Sequence, residues 1–243
     1  MNKIVAVTSG KGGTGKSTFC ANLARAALKN FDSVLLIDMD AGMRCLDMLL
    51  SVSDSVIMDV SDVLNGADLE SSMLEIPDCP RLFLLPAPAK TGLVEPEAFG
   101  EFISRVSEKF SLVIIDFPAG SDFTLYEKLP YKTDFVCICN PDPISVRDAS
   151  SVGQMLRAIK RTGFLVINKY DYRYINNSFF SNLDDILNHT GLRLLGIVPF
   201  SELFIYSFST GKFPRRGREA KAFKRIVGRI ADKNIPLPKL KKI

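Results

Sequence analysis

The sequence predicts an α/β fold, in which a doubly wound, mostly parallel sheet of about seven or eight strands is flanked by helices in a single domain. Short apolar, β-branched runs alternate with helix-period segments along the whole chain. The runs are almost continuously apolar, which is typical of strands buried on both faces of a parallel sheet. The 243 residues are 47% hydrophobic and 24% charged, enough for one large core, and no linker, internal repeat or low-complexity segment divides them.

Each strand candidate is bounded by polar or turn residues, and longer segments with helical periodicity lie between them. In one such segment, Phe99, Phe102 and Val106 recur at steps of three and four residues and form an apolar stripe. The predicted strands are 3–8 (KIVAVT), 33–38 (SVLLID), 81–86 (RLFLLP), 111–116 (SLVIID), 134–139 (DFVCIC), 163–168 (GFLVIN) and 194–199 (LLGIVP). The predicted helices are 15–29, 97–109, 145–161, 176–189 and 218–233.

Composition favours a cytoplasmic protein. No apolar run approaches the roughly 18 residues of a membrane span, and the N-terminus passes directly into a short strand followed by glycines. The five cysteines are odd in number and scattered, and Cys137 and Cys139 form a C-x-C inside an apolar strand, so we expect core residues. With His189 as the only histidine, a zinc site held by the protein is not expected.

The charge is unevenly distributed. Residues 212–243 contain 12 Lys/Arg and 2 Asp/Glu, a net charge of +10, so the whole-chain value of +4 leaves −6 for the rest. Such a basic end attracts anionic partners, whether lipid headgroups, nucleic acid or an acidic protein. The alternative is a solvated helix face followed by a basic tail.

The stretch TSGKGGTGKSTF (8–19) contains the phosphate-binding pattern G-x-x-x-x-G-K-[ST] and connects a predicted strand to a predicted helix. The glycines let backbone N–H groups approach an anion, and the helix start adds the favourable end of its dipole. Lys16 is expected to reach the β- and γ-phosphates, and the Ser17 hydroxyl to bind Mg²⁺. A second lysine, Lys11, is not required by the pattern.

Acidic residues follow two other predicted strands. Asp116 ends SLVIID, and a carboxylate at the carboxyl end of a parallel strand faces the ligand crevice, where it can hold Mg²⁺ through water. Asp38 and Asp40 end SVLLIDMD two residues apart, so strand alternation would direct both to the same side. The alternative is that these aspartates only begin turns.

With Lys11 included, KGGTGKST resembles the deviant phosphate loop of the MinD/ParA family of dimerising ATPases. Further stretches resemble the MinD branch, and the resemblance extends from residue 3 to about 233. It implies a P-loop ATPase domain over residues 1–233 and a short basic C-terminal tail over 234–243. The stretches are IDMDAGMRCLD (37–47), IDFPAG (115–120), NPDPISVRDA (140–149) and GIVPF (196–200).

The resemblance implies that the chain binds and hydrolyses ATP to ADP with Mg²⁺. Lys11 would cross the interface of an ATP-containing dimer and contact the phosphates held by the other subunit, as an arginine finger does elsewhere. Asp40 would orient the attacking water, and Asp38 and Asp116, with Ser17, would support Mg²⁺. The nucleotide would be bound by Gly10, Gly12, Gly13, Thr14, Gly15, Lys16, Ser17, Thr18, Asn168 and Pro199.

Within that set, the resemblance assigns the adenine edge to Asn168 and the lining of the base to Pro199 and its neighbours. An asparagine amide suits adenine because it can donate and accept together. The alternative is that Asn168 forms a turn.

The implied function is a switch in which ATP favours a homodimer, the dimer binds a surface and regulatory protein partners, and hydrolysis releases both. Helix 145–161 resembles the partner-binding face of MinD-like proteins, which position the septum site or another cellular structure. The alternative is a ParA-like partition or regulatory ATPase whose basic C-terminal region binds nucleic acid non-specifically. An iron–sulfur carrier of the same superfamily needs paired cysteines near the C-terminus, and no cysteine follows Cys139.

The C-terminal region departs from membrane-oscillating MinD proteins, which end in an amphipathic helix beyond the domain. Segment 221–233 is amphipathic but resembles the last helix of the domain, and Pro236 and Pro238 prevent a regular helix after it. We therefore expect at most a weak, peripheral contact with anionic lipid at the inner face of the cell membrane. The apolar residues that would assist it are Ile235, Leu237, Leu240 and Ile243.

Overall fold

A computed structural model of the chain describes residues 2–41, 43–90, 92, 94–120, 123–175, 180, 182–211 and 213–242. Within these ranges the strands are β1 (Lys3–Thr8), β2 (Val34–Asp38), β3 (Leu74–Glu75), β4 (Leu82–Leu85), β5 (Leu112–Asp116), β6 (Thr133–Cys139), β7 (Gly163–Tyr170) and β8 (Arg193–Pro199). They form a single sheet in the order β3-β4-β2-β5-β1-β6-β7-β8. All neighbours are parallel except β3, which is antiparallel to β4.

The helices lie between the strands, as the alternation of the sequence predicts. They are α1 (Lys16–Ala27), α2 (Leu46–Leu49), α3 (Val60–Leu64), α4 (Leu69–Ser72), α5 (Pro96–Lys109), α6 (Thr124–Lys128), α7 (Pro143–Ala158), α8 (Tyr172–Ile175), α9 (Leu183–Thr190), α10 (Glu202–Thr210) and α11 (Gly217–Ile230). Short 3₁₀ turns lie at Ser53–Ser55 and Leu240–Lys242. All the described helices are too short or too polar to cross a lipid bilayer.

A hydrophobic core covers each face of the sheet, which confirms the doubly wound α/β fold. On one face, α5 inserts Phe99, Phe102 and Val106 beside residues of α7 and α9, so the predicted stripe of α5 is buried. On the other face, α1 and α11 pack together, with Phe19 and Phe223 ring centroids 5.5 Å apart. Strands buried on both sides need apolar side chains on both sides, which is why their sequences lack polar alternation.

The strand register gathers the functional candidates at one edge. Asp116 at the end of β5 lies beside Val7 of β1 on one side and Asp38 of β2 on the other. The carboxyl ends of these strands therefore meet directly beneath the loop that leaves β1. In open α/β sheets this edge is where ligands bind.

The seven predicted strands are confirmed, with ends that differ by no more than two residues. The predicted helix 176–189 is wrong at its start. The Asn182 side chain accepts a hydrogen bond from the Asp185 N–H and caps α9, so this helix begins at Leu183. Residues 176–179 and 181 of that prediction lie outside the described residues. The eighth strand, β3, is a two-residue edge pairing too short to produce a pattern.

The C-terminal segment packs on the domain. The Arg229 guanidinium donates to the Ile235 carbonyl, and the Ile235 side chain lies against Gly228. Leu240 packs on the core. Ile235 and Leu240, which were expected to assist membrane contact, are thus partly buried against protein, and a contact of the tail with lipid stays a prediction. Leu237 is 45% exposed, and Ile243 lies outside the described residues.

Gly100 is a point of close packing that tests the fold. A Cβ atom at this position in α5 would overlap the carbonyl oxygen of Lys128 at the end of α6. Overpacking costs about 1–3 kcal/mol, more than the roughly 1 kcal/mol that alanine gains over glycine in a helix. We expect Gly100→Ala to lower the free energy of unfolding in a urea titration. Glu101→Ala, at an exposed position of the same helix, is the control, and equal stability of the two variants would contradict the packing.

Candidate nucleotide-binding site

The loop between β1 and α1 has the conformation of a phosphate cradle. Gly15 precedes the helix with φ of 89°, a left-handed conformation that favours glycine, and as a glycine it has no side chain with which to cap α1. Lys16 and Ser17 therefore stand in the first turn of a helix whose N-terminus is free to bind an anion. Thr14 is buried within this loop, and its Oγ1 has no hydrogen-bond partner among the described residues.

Two side chains from the end of β7 hold the loop. The Asn168 amide donates to the Thr14 carbonyl over 2.7 Å, and the Lys169 ammonium donates to the Gly13 carbonyl over 2.8 Å. The pairing of β7 with β8 is irregular here, and Lys169 has a φ of 52°. Asn168 thus lies at the site, where it supports the loop in a way that the sequence did not indicate.

The glycines of the loop serve different purposes. A Cβ atom at Gly10 would come within 2.5 Å of Asp148 in α7, so glycine is required there because a helix packs directly behind the loop. At Gly12 and Gly13, apart from the adjoining residues, no described atom lies within 4 Å of such a position. The open side of the loop is therefore at Gly12 and Gly13, which leaves this side accessible to a ligand or a second molecule.

Lys16 forms a buried ion pair at the centre of the site. Its ammonium lies 2.6 Å from Asp116 Oδ1, and the two side chains are 7% and 0% exposed. Burial lowers the pKa of Lys16, but the neighbouring Asp116 carboxylate outweighs it, so the pKa lies above its usual range. Lys16 is therefore a permanent cation directly at the phosphate loop.

The two aspartates after β2 differ in position. Asp38 is the last residue of the strand and is buried, and it accepts hydrogen bonds from the Asp40 and Leu46 N–H groups. Burial and then the nearby Asp116 raise the pKa of Asp38 to about 7. Asp40 lies in the loop after the strand and is half-buried, so its direction is set by the loop, and its charge, like that of Asp38, acts on Lys16.

The residues around Ser17 fit a magnesium ion held largely through water. Asp116 Oδ2 is buried without a hydrogen-bond partner among the described residues, although Oδ1 is bound by Lys16. A water of a Mg²⁺ shell would satisfy such an oxygen. Across the described ranges, no three His, Cys, Asp or Glu side chains converge well enough to hold a metal by themselves. The ion would therefore need phosphate oxygens and water in addition to Ser17.

Cys45 is a neighbour of this position that the sequence analysis missed. Its thiol lies close to Ser17, and burial raises the pKa of Cys45 to about 11. The thiol is consequently neutral beside the candidate metal position. A lone cysteine in a loop carries no sequence signal for such a contact.

A cavity of about 340 Å³ opens next to the loop, where a nucleotide base would lie. Asn168 and Pro199, both selected from the sequence, line it together with Thr18. Its remaining walls are largely apolar and aromatic, which suits the flat faces of a base. The aromatic and apolar members are Phe19, Val198, Phe200, Phe204, Ile205 and Phe223.

Lys11 is separate from the cradle. Its ammonium lies 3.4 Å from Asp142 Oδ1, and its side chain is 32% exposed. Asp142 also accepts from the Ser145 N–H and caps α7 ahead of Pro143. The sequence Asp142-Pro143 is typical of a helix start, so the cap could have been predicted. The contact between Asp142 and Lys11 could not, because it depends on the fold.

Comparisons with known proteins agree with this geometry. A family model described as the CobQ/CobB/MinD/ParA nucleotide binding domain matches residues 5–214. The septum site-determining protein MinD of Synechocystis sp. is 30% identical over 245 residues, which cover 97% of this chain and 92% of the relative.

Solved structures have the same fold. A chain of the MinC:MinD cell division protein complex of Aquifex aeolicus has a TM-score of 0.86 at 26% identity. The match covers 98% of this chain and 99% of the chain from the complex. MinD complexed with Mg-ADP from Pyrococcus horikoshii has a TM-score of 0.79 at 25% identity, and the match covers 95% of this chain and 96% of that structure's chain. The chain therefore belongs to the CobQ/CobB/MinD/ParA family of nucleotide-binding domains, in which it is an ATPase of the MinD type.

Proposed function

We propose that this ATPase is a dimerising switch that positions the septum site or another cellular structure. ATP joins two copies, the dimer binds a regulatory protein and a surface, and hydrolysis to ADP and phosphate releases both. The relatives support this function, since they are named septum site-determining proteins and one solved structure is a MinC:MinD complex.

The different placement of the two loop lysines carries the proposal. Lys16 is buried on Asp116 at the cradle, whereas Lys11 extends away from it to Asp142 and stays partly exposed. A lysine that served its own phosphates would lie in the cradle with Lys16. The position of Lys11 supports a contact with phosphates held by a second subunit, where it would neutralise charge that develops during phosphoryl transfer.

Each remaining residue has a role in one subunit. Lys16 and the N–H groups of residues 10–18 bind the phosphates. Ser17, Asp38 and Asp116 hold Mg²⁺, directly or through water; when bound, the ion neutralises charge on the β- and γ-phosphates. Asp40 orients the attacking water, and its half-buried loop position gives it access to solvent. Asn168 and Pro199 border the base.

The surfaces for partners belong to the same proposal. On α7 the Arg147 side chain is 76% exposed and pairs with Asp148, and Ile144 is 56% exposed, so this face offers a protein partner both polar and apolar area. The domain would comprise 1–233 and the basic tail 234–243. We place the protein in the cytoplasm, with a weak peripheral contact with anionic membrane at most.

The cations of the C-terminal region favour a second candidate, a ParA-like ATPase that binds nucleic acid. Phosphate contacts would make such binding fall steeply with salt. Binding of duplex DNA that requires ATP and weakens steeply between low and moderate salt would support this candidate. ATP-dependent binding to anionic vesicles alone would support the first.

Asp40→Ala separates hydrolysis from binding. Because the carboxylate positions water but does not hold phosphate, we expect ATP turnover to fall about 100-fold or more while ATP affinity stays within a few-fold. Phosphate release and equilibrium binding of a fluorescent ATP analogue measure the two quantities. The control is Asp54→Ala, which removes an exposed carboxylate from the 3₁₀ turn Ser53–Ser55 and should change neither quantity. Normal turnover in Asp40→Ala would remove Asp40 from the mechanism.

A further inference from the structure

A second cavity lies between helix α11, strand β8 and the C-terminal segment. Its volume is about 370 Å³. Helix α11 separates it from the nucleotide cavity, since Phe223 faces the nucleotide cavity while Ala222 and Ile226 line the second one. None of the residues that the preceding sections place at the phosphates or the metal contributes to it.

Five cations surround this cavity, and none of its lining residues is acidic. They are Arg218, Lys221, Arg225, Arg229 and Lys239. Arg218 pairs with Glu219, which does not line the cavity, but the other four cations have no carboxylate partner among the described residues. Such crowding of like charges costs free energy, and a site that retains it is suited to an anion.

Two of the five cations are fixed by the protein. Arg229 donates to the carbonyls of Leu195 and Ile235, and Arg218 donates to the carbonyl of Phe200. Burial, and after it the nearby Arg225, lower the pKa of Arg229. These two guanidinium groups form a preorganised part of the cavity wall.

The other three cations are available. Among the described residues, no carboxylate lies within ion-pair distance of Lys221, Arg225 or Lys239. The ion pairs of this region involve Arg218 with Glu219 and Asp232 with Lys3 instead. An anion that enters the cavity would therefore meet positive groups that no protein carboxylate neutralises.

The floor of the cavity is apolar. It is formed by Leu195 and Ile197 of the edge strand, Ile226 of α11, and Leu237 and Pro238 of the tail. An inorganic ion would make no contact with this apolar floor. A surface that only binds the phosphates of a nucleic-acid backbone has no need of an apolar floor. A cationic rim above an apolar floor matches a ligand that carries both a phosphate and an apolar part.

From this arrangement we infer that the cavity binds the phosphate group of a small amphiphile, with the phosphate on Lys221, Arg225 and Lys239 and the apolar part on the floor. Such a group is found both on anionic lipids and on soluble organic phosphates. The site is independent of ATP hydrolysis, so it stands whether or not the proposed switch is correct.

The test uses the full chain saturated with Mg²⁺ and ADP, so that the phosphate loop is occupied. Dihexanoyl phosphatidic acid below its critical micelle concentration is titrated by calorimetry, with dihexanoyl phosphatidylcholine and inorganic phosphate as comparison probes. Vesicles of phosphatidylglycerol with phosphatidylcholine test the membrane source. We expect the phosphatidic acid to bind more tightly than either comparison probe.

Variants locate the site. We expect Lys221→Ala and Arg225→Ala each to weaken binding of the phosphatidic acid about tenfold, with thermal midpoints and ATP turnover unchanged. Lys224→Ala removes the same charge from an exposed position of the same helix outside the cavity, and should leave binding unchanged. The same pattern with vesicles would identify lipid as the source, whereas vesicles that do not bind would identify a soluble phosphate.

Four results would overturn the inference. They are absence of binding by the monomeric probe, equal affinity for inorganic phosphate, equal weakening by Lys224→Ala, and binding only to vesicles or duplex DNA. Each would show that the charge acts as a diffuse surface or that the apolar floor has no part in binding.

Discussion

Replacing Lys16 with alanine is expected to abolish measurable ATP and ADP binding. The ammonium contacts the cradle from a buried position 2.6 Å from Asp116, and charge-assisted hydrogen bonds to two phosphates together account for about 100-fold or more in affinity. Equilibrium binding of a fluorescent nucleotide measures the loss. Normal affinity in a folded Lys16→Ala protein would show that the loop is not the nucleotide site.

The stability of Lys16→Ala must be measured separately, because this variant leaves Asp116 as a buried charge without its lysine partner. Breaking a buried ion pair costs about 3–5 kcal/mol, so the circular dichroism and thermal midpoint of Lys16→Ala must be compared with those of the parent. Lys16→Gln keeps a donor of similar length without the charge. Loss of binding in both variants, with the fold retained in Lys16→Gln, assigns the effect to the phosphate contact.

Replacing Lys11 with alanine is expected to leave nucleotide binding in one subunit nearly intact and to abolish ATP-dependent dimerisation. Turnover should fall by about 1,000-fold or more, as when a finger residue supplied by a partner is removed. Lys11 is partly exposed and lies outside its own cradle, so its removal leaves the Lys16–Asp116 pair intact. Steady-state phosphate release and light scattering with ATP measure the two effects.

Asp142→Ala is the matched control for Lys11→Ala. It removes the other member of the same part-buried ion pair, together with the cap of α7, but keeps the lysine. If Lys11 acts across an interface, Asp142→Ala should still dimerise with ATP. Loss of dimerisation in Asp142→Ala alone, with a fully active Lys11→Ala monomer, would instead assign the effect to the local structure of α7.

Most of the fold could be predicted from the sequence because its strands are buried on both faces and therefore read as continuous apolar runs. Each such run became a strand of the sheet. The short helices α2, α3, α4, α6 and α8 were not predicted, and neither were strand β3 and helix α10. Strand β3 exists only through its pairing with β4, and α10 (ELFIYSFST) has four consecutive apolar residues followed by a serine- and threonine-rich end, without helical alternation.

The site was predicted less completely, for a physical reason. Glycine, lysine and serine at fixed spacing identify a phosphate loop because local backbone geometry requires them. The contacts of Asn168 with Thr14, of Lys169 with Gly13 and of Lys11 with Asp142 join residues more than a hundred positions apart. Nothing in the local sequence encodes these pairings, which follow from the strand order.

Light scattering after size-exclusion chromatography tests the central claim most directly. Asp40→Ala is used to slow hydrolysis, and the protein is run with Mg²⁺ and ADP and again with Mg²⁺ and ATP. A monomer with ADP that becomes a dimer with ATP, and that stays monomeric when Lys11→Ala is added, is the predicted result. A monomer in both nucleotide states would contradict the switch and leave Lys11 without an intersubunit role.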